Sequence, residues 1–287
     1  MFRRIGYMLL FVLMILGTFS GNVLAESSES KEYDIRKVKN YIESSVDYLK
    51  EQFGKLDKMS NLADIESIIE GYYNENPPPE AMLKGNLKIE DVLPELTEAN
   101  EKYHQMTKGD LNEFLEIQKK TEELGKVFLY KNDNSKIEVY LGNTGEIAIM
   151  EFRTIKEAPI QPLYAQRETA IERTTGIAYN AVGSKMFTLW SEGGFKYNGS
   201  NVVSQNIDGD FQRHFWGSTL NLIPETMPKT RAISIEGYKY VEIYSRLRYE
   251  AGIGIRWASI TLKSGTIETI VGCGVNGSVY GQLKRVS

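Results

Sequence analysis
Between Tyr33 and Leu56 the apolar residues Val38, Tyr41, Ile42, Val46, Leu49, Phe53 and Leu56 recur at intervals of three and four, which draws one stripe of an amphipathic helix. A second, shorter stripe runs from Leu62 to Tyr73, with Ile65, Ile68, Ile69 and Tyr72 on one side. Asn74 to Pro79 ends it, because three successive prolines lack amide donors and hold an extended path. Helical spacing resumes over 89–105 (Val92, Leu96, Tyr103) and over 108–124 (Leu111, Phe114, Leu115, Ile117), with Gly125 placed as a C-terminal cap.

After Gly125 the period switches from helical to alternating. Val127 to Lys131, Ile137 to Leu141 and Ile147 to Phe152 are separated by Asn132–Ser135 and by Gly142–Gly145, which reads as a three-stranded meander. Lys156 to Pro162 has the composition of a linker, and a short helix is expected over Glu168 to Thr175. Candidate strands then follow at Met186–Ser191, Gly194–Tyr197, Asn201–Ile207, Phe211–Trp216, Thr219–Ile223, Arg231–Ile235, Lys239–Leu247, Ile253–Leu262, Thr266–Val271 and Ser278–Leu283. Many short strands at this spacing predict a β-sandwich or barrel. The expected class is therefore α+β: N-terminal amphipathic helices with a small meander, then an antiparallel β-rich domain rich in glycine and aromatic residues. The corresponding division is 1–25, 26–161 and 162–287.

Residues 1–25 are set apart because Arg3 and Arg4 precede an apolar run from Met8 to Leu16 and a small-residue stretch ending in Ala25. This is the order of a secretory signal peptide, and the apolar run is shorter than the roughly 20 residues of a membrane-spanning helix. Export with cleavage after Ala25 is expected. The lone Cys273 in 287 residues suits an exported bacterial protein more than a small eukaryotic one built on disulfides.

A formal charge of −4 on the whole chain conceals two opposite parts. Residues 26–161 carry 18 Lys and Arg against 28 Asp and Glu, whereas 162–287 carry 14 against 10. An acidic helical part and a mildly basic β part suggest docking of one on the other, or attraction of the β part to an anionic surface. The balance gives no reason to expect nucleic acid as a partner.

The sequence lacks most of the motifs that carry catalytic chemistry. Nucleophile elbows, zinc-binding His-Glu-x-x-His helices, phosphate loops and dinucleotide fingerprints are absent, and two histidines, His104 and His214, are too few for a histidine-rich metal centre. No metal and no cofactor are expected. Cys273, between Gly272 and Gly274, would need His214 as its base to act as a reactive thiol; the plainer reading is a buried packing residue. Asn206-Ile207-Asp208-Gly209-Asp210 has the alternating oxygens of a calcium loop but lacks its glycine and glutamate positions, and a turn between strands is preferred. Glu236, Glu242, Glu250 and Glu268 are carboxylates from which a hydrolytic pair would have to come, and nothing in their spacing selects two. Trp190, Phe215, Trp216 and Trp257 read as core. Asn198-Gly199 and Asn276-Gly277 read as hairpin turns.

The strongest surface candidate is the segment 238–249. In strand geometry Tyr238, Tyr240, Glu242, Tyr244, Arg246 and Arg248 share one face, with Val241, Ile243 and Leu247 on the other. The first face is an aromatic and guanidinium row suited to sugar rings, phosphate-bearing polymers or lipid headgroups. The same residues would also serve as cross-strand pairs of an exposed sheet. Together these features lead us to expect a secreted, non-enzymatic effector of a Gram-positive bacterium that acts at a cell envelope, antimicrobial in the manner of a large bacteriocin or toxin. The alternatives are a binding module for wall carbohydrate or teichoic acid, and a thiol or carboxylate hydrolase. The expected partner is the envelope, meaning a membrane surface or wall polymer of a bacterium.

Overall fold
The structure is a computed structural model that describes residues 28–84, 87, 89–94, 125–159, 167–214, 220–235, 237–251 and 264–286. The chain divides into Met1–Asp34 and a compact unit, Ile35–Ser287. It is an α+β fold of a few helices and a mostly antiparallel, β-rich body. The expected signal, most of the helices over 89–105 and 108–124, and the strand over 253–262 lie outside the described residues.

Helix α1 (Ser28–Lys55) buries Val38, Ile42, Val46, Leu49 and Phe53, the stripe read from the sequence. Helix α2 (Leu62–Glu75) starts at a capping box: the Asn61 side chain accepts from the Asp64 amide at 3.2 Å, and the Asp64 carboxylate accepts from the Asn61 amide at 2.8 Å. Two amides at the helix start, one inside its first turn and one on the cap itself, are thereby satisfied. Short helices α3 (Glu80–Lys84) and α4 (Ile89–Val92) follow the prolines.

Among the described residues eleven strands follow: β1 (Gly125–Lys131), β2 (Ser135–Gly142), β3 (Ile147–Lys156), β4 (Arg167–Glu168), β5 (Ile171–Tyr179), β6 (Lys185–Tyr197), β7 (Val202–Arg213), β8 (Leu220–Ile235), β9 (Tyr238–Ala251), β10 (Ser264–Gly274) and β11 (Val279–Arg285). The first seven form one sheet, with β1-β2-β3-β5-β6 in order and β4 and β7 both paired to β6; the last four form a second sheet ordered β11-β10-β9-β8. The meander is present as predicted, and it joins the later strands directly through the β3–β5 pairing. The first sheet thus takes strands from both sides of position 162.

Alternation assigns the layers. Ile137, Val139, Leu141, Ile147, Ile149, Ile177 and Tyr179 of the first sheet share a core with α1 and α2. The Tyr130 hydroxyl donates to the Phe53 carbonyl at 2.7 Å, and Glu66 of α2 accepts from the Tyr179 hydroxyl and from Lys185 Nζ, each at 2.8 Å. The opposite face of β3, β5, β6 and β7 packs on the second sheet. There, Phe187 and Leu189 meet Leu247 and Tyr249, and Phe195 and Val202 meet Ile243, Val271 and Cys273. Gly176 and Gly281 allow the close approach: a Cβ on Gly281 would lie 2.2 Å from the Phe152 ring, and one on Gly176 would lie 2.7 Å from Leu283.

Three expectations change. The helix expected over Glu168–Thr175 is instead β4 and the start of β5, because Ile171, Thr174 and Thr175 are β-branched, and Thr174 and Thr175 sit between two ladder partners. The pairs of short strands over 186–197, 201–216 and 219–235 fuse into β6, β7 and β8, each of 12 to 16 residues, broken by irregularities rather than turns. Asn206 to Asp210 is accordingly not a turn. Asn206 and Ile207 stand opposite the single residue Gly193, a bulge with Asn206 at φ 51°. Gly209 is glycine because a Cβ there would lie 2.4 Å from Ser245 Oγ. Both Asn-Gly pairs do turn hairpins, with Gly199 at φ 85° and Gly277 at φ 86°.

Candidate functional site
The outer face of the second sheet, turned away from the first, collects the polar and aromatic residues. On β9 the odd-numbered residues Ile243, Ser245, Leu247 and Tyr249 are buried toward the first sheet, so the even-numbered row faces outward. Register then fixes its neighbours. Arg231 stands beside Glu242 and Ile233 beside Tyr240 on the β8 side; Gly272 stands beside Glu242 and Glu268 beside Arg246 on the β10 side; Tyr280 and Lys284 continue the rows on β11.

Two carboxylates organise this face. Glu268, fully buried, accepts from Arg231 at 2.7 and 2.9 Å and from Arg246 at 2.7 and 3.1 Å, with Lys284 Nζ at 3.4 Å. Glu242, also buried, accepts from Arg231 at 2.6 Å and from the Tyr280 hydroxyl at 2.6 Å. The Tyr244 ring lies between the guanidiniums, 4.4 Å from Arg231 and 5.6 Å from Arg246. Burial works against charge on both Glu268 and Arg231, but the hydrogen bonds between them outweigh it. Glu268 is held below the ordinary carboxylate range and Arg231 above the ordinary guanidinium.

Beside the network lies a groove of about 660 Å³, within the roughly 300–1,000 Å³ of small-ligand sites. Its walls come from Ile233 and Ile235 of β8, Tyr240 and Glu242 of β9, and Tyr280 of β11, and it continues over β11 to Glu138 and Met150 of the first sheet. Tyr240 and Tyr280 pack edge to face, with ring centroids 6.0 Å apart. Two glycines make room for these rings over β10. A Cβ on Gly272 would lie 2.2 Å from the Tyr280 ring, and one on Gly274 would lie 3.1 Å from the Tyr240 ring.

The predicted row is therefore divided. Tyr240 lines the groove; Tyr244 and Arg246 belong to the ionic network; Tyr238, 66% exposed, sits at the β8–β9 turn; Arg248 is exposed farther along β9. Arg231, Tyr280, Ile233 and Lys284 escape notice in the sequence because each belongs to a different strand from the row it completes. Their alternation on β8 and β11 was the available signal.

The hydrolytic readings fare differently from place to place. Glu242 and Glu268 are brought onto one guanidinium, and Glu268, held in its charged form, is poorly matched to a general acid. Glu236 lies outside the described residues, and for Glu250 only the backbone pairing is described. Cys273 is fully buried on the inner face, packs in the cluster of Phe195, Val202, Ile243 and Val271, and donates to the Gly274 carbonyl at 3.3 Å. Burial pushes its thiol up to about 12. His214 meets Thr188 at 2.9 Å, and Thr188 on β6 is paired with Gln212 of β7. These surroundings are those of a packing residue. Among the described residues no three of His, Cys, Asp or Glu gather as metal ligands. Trp190 is partly buried, with Arg173 5.9 Å from its ring, and Phe215, Trp216 and Trp257 lie outside the described residues. Compared with protein-family models, curated proteins and solved structures, the chain matches none of them.

Proposed function
We propose that this is an exported bacterial protein without enzymatic activity that acts at a cell envelope, and that the outer face of the second sheet is its contact with a wall polymer. The observation that carries the reading is the groove floored by Tyr240 and Tyr280 and flanked by Glu138, Glu242 and Lys284. Aromatic bodies with a few fixed polar groups are the usual lining of a ligand site. The two packed sheets are read with it as a sandwich rather than a barrel, since a four-stranded sheet bounded by β8 and β11 leaves its outer face open to a polymer. Export rests on the charged, apolar and small-residue order of residues 1–25.

An antimicrobial effect on related Gram-positive cells is the downstream consequence proposed for that contact. The test is sedimentation of the purified protein with isolated Gram-positive cell walls, run beside a growth and dye-entry assay on whole cells. Co-sedimentation that saturates supports envelope contact, and protein left wholly in the supernatant refutes it. Binding without growth arrest or dye entry would keep the contact and remove the killing.

A further inference from the structure
The arginines of the outer face looked, in sequence, like a site for an anionic polymer. We infer instead that the groove takes an uncharged glycan chain, and that these arginines are structural; this rests on the proposal that the face contacts a wall polymer. The first reason is charge. Arg231, Arg246 and Lys284 are all held on Glu242 and Glu268, two carboxylates buried beneath them, so three cations on two anions leave the cluster a net charge of only +1. A phosphate polymer would have to pull these cations off their partners, leaving buried anions unpaired. Glu138, paired with Lys136 at 2.6 Å, adds a further carboxylate to the groove wall that can accept from a sugar hydroxyl.

The second reason is shape and surface. Ile233, Ile235, Tyr240 and Tyr280 give the groove an apolar, partly aromatic floor, and Glu138 and Gln282 put oxygen and amide groups along its sides. A pyranose chain has the matching division, with C–H faces that stack on rings and a rim of hydroxyls that bond to carboxylates and amides. The lining runs across strands from β8 to β11 and on to β2 and β3, the course of an extended chain rather than of a single compact ligand.

The experiment uses the full protein with three probes: intact Gram-positive walls, the same walls stripped of phosphate polymers by hydrofluoric acid, and soluble cellulose- and chitin-derived oligosaccharides. Each is run at low and high salt. The inference expects full binding to stripped walls, saturable binding to at least one oligosaccharide, and less than a twofold loss on raising salt. It also expects at least a tenfold loss in Tyr240→Ala, and none in Lys229→Gln or Arg248→Gln, two cations exposed outside the groove lining. Circular dichroism and urea midpoints separate lost binding from lost folding. Binding that disappears on stripping, weakens tenfold with salt and falls in the lysine and arginine variants overturns the glycan assignment while leaving envelope contact standing. Failure to bind either wall preparation removes both.

Discussion
Arg231 reaches from β8 across β9 to hold Glu268 on β10 with nitrogen–oxygen contacts of 2.7 and 2.9 Å. One guanidinium thereby links three strands, since it also meets Glu242 on β9 at 2.6 Å. The outer face of this sheet is stitched by charge where the inner face is joined by apolar packing.

Glu268→Gln should be among the most damaging single changes on this sheet. It leaves Arg231 and Arg246 without their shared anion, and breaking a buried ion pair costs about 3–5 kcal/mol. Because Glu268 titrates below its ordinary value in the folded protein, its contribution is complete above the ordinary carboxylate range and is lost as pH falls through the depressed folded value. Urea denaturation from pH 7 downward checks this: the gap between wild type and variant should be wide at pH 7 and shrink progressively as the pH is lowered below the ordinary carboxylate range.

Glu146 predicts the opposite slope. It follows the β2–β3 turn, accepts from the Thr144 hydroxyl, and sits where a Cβ on Gly142 would collide with its carboxylate. Burial pushes its pKa up from 4.5 to about 7, and its bonds to Thr144 offset only part of this. The folded state therefore holds a proton that the unfolded chain releases. The associated stability is present below the unfolded pKa and is lost as pH rises between the two values, by at most about 3 kcal/mol. Glu146→Gln should raise the melting temperature at pH 8 and leave it nearly unchanged at pH 4. A variant less stable than wild type at pH 8 would refute the argument.

Cys273 should behave as an inert core atom group. A thiol reagent should label it slowly in the native protein and quickly in urea. Cys273→Ala should cost about 1–2 kcal/mol for the lost packing, and it should leave any binding to cell walls intact. Rapid native labelling would contradict its burial.

Two glycines make a matched pair for volume. Gly281→Ala places a methyl group 2.2 Å from the Phe152 ring and 2.6 Å from Thr174 Oγ1, an overpacking that costs about 1–3 kcal/mol. Gly71→Ala meets nothing within 4 Å on the exposed side of α2 and should stabilise by about 0.5–1 kcal/mol through helix propensity. Denaturation midpoints shifting in opposite directions would confirm both.

The helices α1 and α2, the meander and the two faces of β9 were legible in the chain, because each depends on a period of 3.6 or 2 that a local run of residues displays. The lengths of β6, β7 and β8 were not. Asp208-Gly209 has the composition of a turn, yet Gly209 is there to admit Ser245 from the facing sheet. That requirement comes from a residue 36 positions away and leaves no local trace.

The same division holds for the site. Sequence alone determined that Tyr240, Tyr244, Arg246 and Arg248 share a face and that Val241, Ile243 and Leu247 share the other, since alternation along one strand is a property of that strand. Only the tertiary structure decided what the face is made of. Pairing β8 and β11 onto its flanks brought Arg231 to Glu242 and Glu268, and laid Tyr280 over Gly272. Strand order and register are set by which faces bury together across the whole chain, so Arg246, which reads as a free cation in the sequence, is in the fold already paired with the carboxylate beneath it.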